Sequence, residues 1–83
     1  MDNSAEKDIK VATFQRHYGA MLLKKGLGKS CNVRAVPRSL SSSCGTCAFV
    51  EGRTLEEIVN ASDKELLEAV YDKKGEVYVK IYE

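Results

Sequence analysis

The main chemical feature of the sequence is the pair of cysteines in Cys44-Gly45-Thr46-Cys47. Two thiols separated by two residues support three chemistries: dithiol–disulfide exchange, metal binding, or a nucleophilic thiol that carries a group between proteins. The pair lies between two predicted strands, whereas thioredoxin-type pairs begin a helix and ferredoxin-like metallochaperones hold theirs between the first strand and helix. Cys44 follows three serines in a predicted loop and is the candidate reactive thiol. Cys47 leads into an apolar strand and could equally be a small buried residue.

Zinc binding is the least favoured of these chemistries. A closed structural site needs four ligands, usually supplied as two spaced pairs. The chain offers Cys31, Cys44, Cys47 and His17, of which only Cys44 and Cys47 form a close pair. We therefore expect no metal site within one molecule.

Several polar residues could stabilise a negatively charged sulfur near Cys44. Arg16 and His17 fall where the first helix begins, at the end that is expected to face the cysteine loop, and a cation beside free helix amides favours a thiolate. The same groups would receive an anion such as a persulfide, selenide or phosphate. The candidate residues for stabilising a thiolate or bound anion are Arg16, His17, Arg38, Ser42, Ser43 and Gly45. Each could also be an ordinary solvated residue.

The hydrophobic pattern predicts the elements that must position these residues. Residues 9–14 alternate apolar and polar side chains, as a strand does, and residues 19–27 show helical spacing. Further strands are predicted over 32–36, 47–50 and 76–82. Residues 54–73 begin with a capping box and continue with helical spacing, which predicts one helix, or two helices that are broken near Asn60.

This order of elements is the split β-α-β, ferredoxin-like (βαββαβ) arrangement. We therefore expect an α+β fold in which a four-stranded antiparallel sheet carries two helices on one face. Residues 1–8 are expected to form a flexible N-terminal leader, and residues 9–83 a single domain. In this topology the connection between the second and third strands lies at the same end of the sheet as the start of the first helix. The loop that carries Cys44 should thus lie near residues 15–19.

The composition of the 83 residues argues against several functions. Thirteen basic and twelve acidic side chains give a formal charge of +1, which does not suit a nucleic-acid binder. No apolar stretch approaches the roughly 20 residues that cross a bilayer. No signal-peptide core is visible and the cysteines are few, so a cytoplasmic location is expected. No paired-carboxylate, phosphate-loop or serine–histidine–aspartate pattern stands out, which favours a carrier or binding protein over an enzyme.

The segment Val36-Pro37-Arg38-Ser39-Leu40-Ser41-Ser42-Ser43-Cys44-Gly45 resembles a known family. Its proline-arginine, serines and cysteine-glycine are similar to the core of the small bacterial proteins described as "putative Se/S carrier-like", the DUF3343 domain. The resemblance extends over about residues 9–83. It implies that Cys44 takes up selenium or sulfur from a donor protein and delivers it to an acceptor, as a transient persulfide or selenium adduct without a bound cofactor. Cys47 departs from the family pattern and could act as a resolving thiol.

Three functions remain open on the sequence alone. The first is the selenium or sulfur carrier that uses Cys44. The second is a thiol–disulfide redox module that uses Cys44 and Cys47. The third is a binding or regulatory domain without thiol chemistry, as many ferredoxin-like domains are. A strand edge could also pair with a second copy of the chain to form a homodimer, and Tyr78 and Tyr82 share a parity that would place both on the open sheet face.

Overall fold

A computed structural model describes residues 9–40 and 44–83. Within these ranges the strands and α-helices are β1 (Ile9–Phe14), α1 (His17–Leu27), β2 (Cys31–Ala35), β3 (Thr46–Glu51), α2 (Leu55–Ala61), β4 (Leu67–Lys74) and β5 (Val77–Tyr82). A short 3₁₀ turn, Gly28–Ser30, joins α1 to β2. The expected flexible leader, residues 1–8, lies outside the described residues.

The described strands form one antiparallel sheet in the order β2-β3-β1-β4-β5. The two helices contact each other on one face of this sheet. There Leu23 of α1 and Ile58 of α2 pack with Ala12, Ala48 and Val50 of the central strands. The molecule is therefore α+β with two helices and a five-stranded sheet. The four-stranded ferredoxin-like arrangement is not confirmed, because β5 adds a further strand beside β4.

The predicted helix over residues 54–73 is wrong in its second half. α2 does begin with a reciprocal capping box between Thr54 and Glu57, as the sequence predicts, but it ends at Ala61. The chain from Leu67 onwards is β4, which pairs with β1. Apolar residues at positions 66, 67 and 70 fit a helical period, yet Ala69 and Val70 are both buried on a strand whose neighbouring side chains point to opposite faces.

Residues 62–65, Ser-Asp-Lys-Glu, have the spacing of a second capping box, but they form a turn instead of a helix start. The side chain of Asp63 accepts a hydrogen bond from the amide of Glu65 at 2.9 Å. The carbonyl of Asp63 accepts from the amides of Leu66 and Leu67. Residues such as aspartate satisfy nearby backbone donors in turns as well as at helix starts, so the local pattern fits both structures.

β1 is the most deeply buried strand of the sheet. Ala12 and Phe14 lie on the face covered by the helices, and Val11 and Thr13 lie on the opposite face. These four side chains are at most 1% exposed. β1 is the central strand of the sheet, between β3 and β4. The helix that follows it, α1, therefore begins beside the ends of those two strands.

The packing of Gly19 against β1 generates a prediction about stability. A Cβ atom at Gly19 would lie 2.8 Å from Cδ2 of Phe14 and 3.1 Å from Cβ of Leu66. We expect Gly19→Ala to lower the free energy of unfolding by about 1–2 kcal/mol, because this overpacking outweighs the gain in helix propensity. Urea denaturation followed by circular dichroism measures the change.

Gly26→Ala is the matched control in the same helix. A Cβ atom at Gly26 would meet Ala61 at 3.6 Å, an ordinary van der Waals contact. This variant should be unchanged or more stable by up to about 1 kcal/mol, since alanine favours helix over glycine. Equal effects of the two substitutions would contradict the packing explanation.

Candidate functional site

Cys44 lies in the connection between β2 and β3, two positions before β3 begins. Gly45 adopts a left-handed φ of 72°, a conformation that favours glycine. Its carbonyl accepts a hydrogen bond from the amide of Val36 at 3.1 Å. This bond continues the pairing of the two strands past Ala35 and holds Cys44 close to the end of the sheet.

Thr46 links Cys44 to the start of α1. The thiol of Cys44 donates to the carbonyl oxygen of Thr46 at 3.5 Å. The hydroxyl Oγ1 of Thr46 lies 3.4 Å from Nδ1 of His17, the first residue of α1. The Cys44 connection and the beginning of α1 are therefore adjacent, as the topology predicts. Thr46 is not among the predicted site residues, although its position between the two cysteines indicates that it lies near them.

The first turn of α1 carries a positive electrostatic end beside this connection. Arg16 is the N-cap residue in extended conformation, its side chain makes no capping hydrogen bond, and the first turn contains no acidic residue. The amides of a helix start and its macrodipole attract negative charge. Arg16 and His17 are both exposed. The surroundings thus favour a negatively charged group at this end of the sheet.

The other predicted site residues belong to the chain between β2 and Cys44. Arg38 is exposed in a turn that is closed by a hydrogen bond of 3.0 Å from the amide of Leu40 to the carbonyl of Pro37. This turn lies in the same connection, before Cys44. Ser42 and Ser43, the predicted anion-stabilising serines, lie outside the described residues.

The three cysteines differ in their access to solvent. None of the three is in a disulfide, and Cys31 and Cys47 are 0% exposed while Cys44 is partly exposed. Burial raises the pKa of Cys31, an effect that the nearby Lys24 partly offsets. Burial likewise raises the pKa of Cys47 to about 11, with Arg34 acting in the opposite direction. At neutral pH these two thiols are protonated and shielded, so neither is suited to nucleophilic attack in this conformation.

Cys47 and Cys31 occupy opposite faces of the sheet. Cys31 belongs to the core beneath the helices, whereas Cys47 precedes Ala48, which faces the helices, and so points to the other side. The thiol of Cys47 donates to the carbonyl of Ala35 at 3.7 Å. After burial, Cys44 and Cys31 make smaller contributions to the raised pKa of Cys47.

Metal binding and membrane crossing each require a particular arrangement of residues. Across residues 9–40 and 44–83, no three or more histidine, cysteine, aspartate or glutamate side chains are grouped so that they could hold a metal ion. In the same part of the chain, no helix has the length and apolar character that crossing a membrane requires.

The sequence model of a family described as "Putative Se/S carrier protein-like" matches residues 10–83. The chain belongs to this family. The match includes Cys44 and the elements from β1 to β5 that position it. Searches of curated proteins and of solved structures find no match.

The different exposure of the cysteines predicts selective alkylation of this Se/S carrier-like protein. We expect iodoacetamide at pH 8 to modify Cys44 while Cys31 and Cys47 stay unmodified. With a pKa of about 11, only about one Cys47 thiol in a thousand is ionised at that pH, and the side chain is buried besides. Peptide mass mapping measures the modified fraction of each cysteine.

Denaturation provides the control for that experiment. The unfolded protein should take up three alkyl groups, because burial no longer protects the two inner thiols. Native modification of Cys47 at a rate similar to that of Cys44 would contradict the assignment.

The buried thiols also predict a dependence of stability on pH. The folded-state pKa of Cys47, about 11, lies above its reference value of 9.0, so the folded state holds this proton more tightly. The resulting stabilisation is complete below pH 9 and is lost as pH rises through about 11. Between pH 8 and about 10.5, the wild type should lose about 1–2 kcal/mol more unfolding free energy than Cys47→Ala.

Urea denaturation with a non-thiol reductant at several pH values measures this difference. The other ionisable groups are the same in both proteins, so the difference between the two curves isolates the thiol. Cys44→Ala is the control and should follow the wild type. Parallel curves for the wild type and Cys47→Ala would contradict the proposed pKa effect.

Proposed function

We propose that this protein carries sulfur or selenium on the thiol of Cys44, between a donor protein and an acceptor protein. The observation that supports this most is that Cys44 combines partial exposure with a position beside the start of α1, whereas Cys31 and Cys47 are buried. The membership of the chain in the Se/S carrier-like family points in the same direction. A carrier requires one accessible thiol and a surface for partners, and needs no turnover site.

The loading step is a thiol exchange. The Cys44 thiolate attacks the outer sulfur of a persulfide on the donor, and a new sulfur–sulfur bond forms as the bond to the donor breaks. The donor leaves as a thiolate and Cys44 holds the persulfide, so no external oxidant or reductant is consumed. Delivery repeats the exchange with an acceptor thiolate. Selenium would be carried in the same way, with selenium as the outer atom.

The surroundings of Cys44 suit the negative charge that this chemistry places on sulfur. The start of α1 offers the positive end of a helix dipole, with Arg16 and His17 exposed beside it. His17 would act through its contact with Thr46. Further candidates for stabilising the anion are the side chain of Arg38, the hydroxyls and amides of Ser42 and Ser43, and the amide of Gly45.

We assign the docking of donor and acceptor proteins to the exposed side of α1 next to this site. Tyr18 and Met21 are 63% and 45% exposed and lie three residues apart, on one side of the helix. Tyr18 directly follows His17, so a partner bound there would reach Cys44. Exposed aromatic and methionine side chains are typical of protein interfaces. Three free thiols suit a reducing compartment, and we therefore place this exchange in the cytoplasm.

The proximity of Cys44 and Cys47 favours a thiol–disulfide redox module as the second candidate function. In that case Cys44 and Cys47 would form a disulfide, with two electrons and two protons passing to an oxidised partner thiol pair. Cys47 could also serve as the resolving thiol of the carrier, by attacking the inner sulfur of the Cys44 persulfide and releasing hydrosulfide. Both roles require Cys47 to leave its buried position and lose its proton, for which its pKa of about 11 is unfavourable.

Intact mass after incubation with a cysteine desulfurase and cysteine distinguishes these functions. We expect the wild type to gain one sulfur atom that a reductant removes, and Cys44→Ala to gain none. Cys47→Ala and the matched core variant Cys31→Ala should load normally, because neither buried thiol takes part in loading. Absence of loading on the wild type, with the desulfurase itself charged, would contradict the carrier.

Two other outcomes favour the alternatives. Loss of two hydrogen atoms that requires both Cys44 and Cys47 would identify the redox module. Sulfur loading that persists in Cys44→Ala would show that another thiol accepts the cargo.

A further inference from the structure

β5 is an edge strand with an exposed apolar surface. Among the described residues, five large apolar side chains are exposed, and three of them lie on β5: Val77 at 61%, Val79 at 47% and Ile81 at 36%. An edge strand also presents backbone donors and acceptors that can pair with another strand. Exposed apolar residues on such an edge therefore indicate a pairing surface.

The opposite edge of the sheet, β2, is protected in a way that β5 is not. The ammonium group of Lys24 donates to the carbonyl of Cys31 at 2.8 Å and to that of Gly28 at 3.3 Å. Each edge strand carries one exposed cation, Arg34 on β2 and Lys80 on β5, but α1 packs against β2. A covering helix is one of the devices that keep an edge from pairing. The exposed valines of β5 have the opposite effect.

The pairing of β4 with β5 determines which side chains share a face. Tyr71 lies opposite Lys80 and Val70 lies opposite Tyr82, so Ile81 is an extra residue in a β-bulge. The bulge separates Tyr78 from Tyr82, and the expectation that both tyrosines share the open face is wrong. Tyr82 packs against the core. Tyr78 and Lys80 share the open face, while Val79 between them points to the helix side.

We propose that β5 pairs antiparallel with β5 of a second copy of the chain, about a two-fold axis at Val79. In this register Val79 lies opposite the partner's Val79, and Val77 lies opposite the partner's Ile81. Apolar side chains that one molecule exposes are thereby brought against each other on the same face. Cross-strand pairs of this kind stabilise sheets.

Cation–π contacts of Lys80 on the open face favour this register. Tyr78 lies opposite the partner's Lys80, and Lys80 already has its ammonium group 5.8 Å from the ring centroid of Tyr71 in its own molecule. Each Lys80 would then lie between two tyrosine rings, a favourable arrangement for a cation. Moving the axis to Lys80 would instead set two lysines against each other, which is destabilising.

The dimer leaves the candidate carrier site free. Cys44 lies in the β2–β3 connection, and β2 forms the edge of the sheet opposite β5. The two copies of Cys44 would therefore lie toward the outer ends of one continuous sheet. The dimer proposal does not depend on the carrier function, and sulfur loading of Cys44 should proceed in a monomeric variant.

Sedimentation equilibrium across a range of concentrations tests the proposal. The wild type should shift from the 9.2 kDa monomer to a species of twice that mass as its concentration rises. Val79→Lys and Val79→Glu should each weaken the dimer at least about tenfold, because each places like charges opposite one another. Asn32→Lys is the matched control, because Asn32 is exposed on the opposite edge strand, β2, and this variant should dimerise as the wild type does.

Mixing the two charged variants tests the register itself. An equimolar mixture of Val79→Lys and Val79→Glu should form a heterodimer, since opposite charges then meet at the axis. Circular dichroism checks that each variant is folded. If Val79→Lys is not, Val79→Thr, which keeps strand propensity but removes apolar area, should weaken the dimer severalfold. A wild type that stays monomeric, a dimer unaffected by these substitutions, or a mixture that stays monomeric would overturn the proposal.

Discussion

The complete burial of β1 is the constraint on which the rest of the structure depends. A strand with no more than 1% exposure at four successive positions must be paired along both edges and covered on both faces. β3 and β4 satisfy the two edges, and the helices cover one face. The close packing of Phe14 under Gly19 then fixes how α1 leaves the sheet. Few other arrangements of the strands and helices satisfy all of these contacts, because protein cores are close-packed.

The candidate site is a consequence of this arrangement. Because α1 starts beside the end of β1, its first turn meets the strand next to β1 at Thr46, where β3 begins. Cys44 and Gly45, which precede Thr46, lie past the end of β3, and neither is buried. The same sheet buries Cys31 on one face and Cys47 on the other. Accessibility therefore distinguishes Cys44 from the other two thiols, and burial raises the pKa of Cys31 and Cys47.

The two edges of the sheet are suited to different tasks. The β2 edge ends at the thiol connection and is held by the lysine of α1 that binds its first carbonyl. The β5 edge is remote from that chemistry and carries the exposed valines. In the proposed carrier, self-association at β5 would leave Cys44 accessible to partner proteins.

The sequence by itself determined much of this protein. Periodicity placed β1, α1, β2 and β3, the capping box at Thr54 marked the start of α2, and the order of elements brought the Cys44 loop to the start of α1. The motif around Cys44 indicated the family. These features are local, or follow from the order of local elements, so a single sequence is sufficient to predict them.

The tertiary structure decided what depends on distant neighbours. Residues after Leu66 fit a helical period, but β1 needed a partner along its second edge, and pairing with β1 made them a strand. The bulge at Ile81 moved Tyr82 to the core, although parity placed it with Tyr78. The burial of Cys47, which the sequence left open, follows from its position on an inner strand. In each case the same local pattern suits two environments, and only long-range packing and backbone pairing select between them.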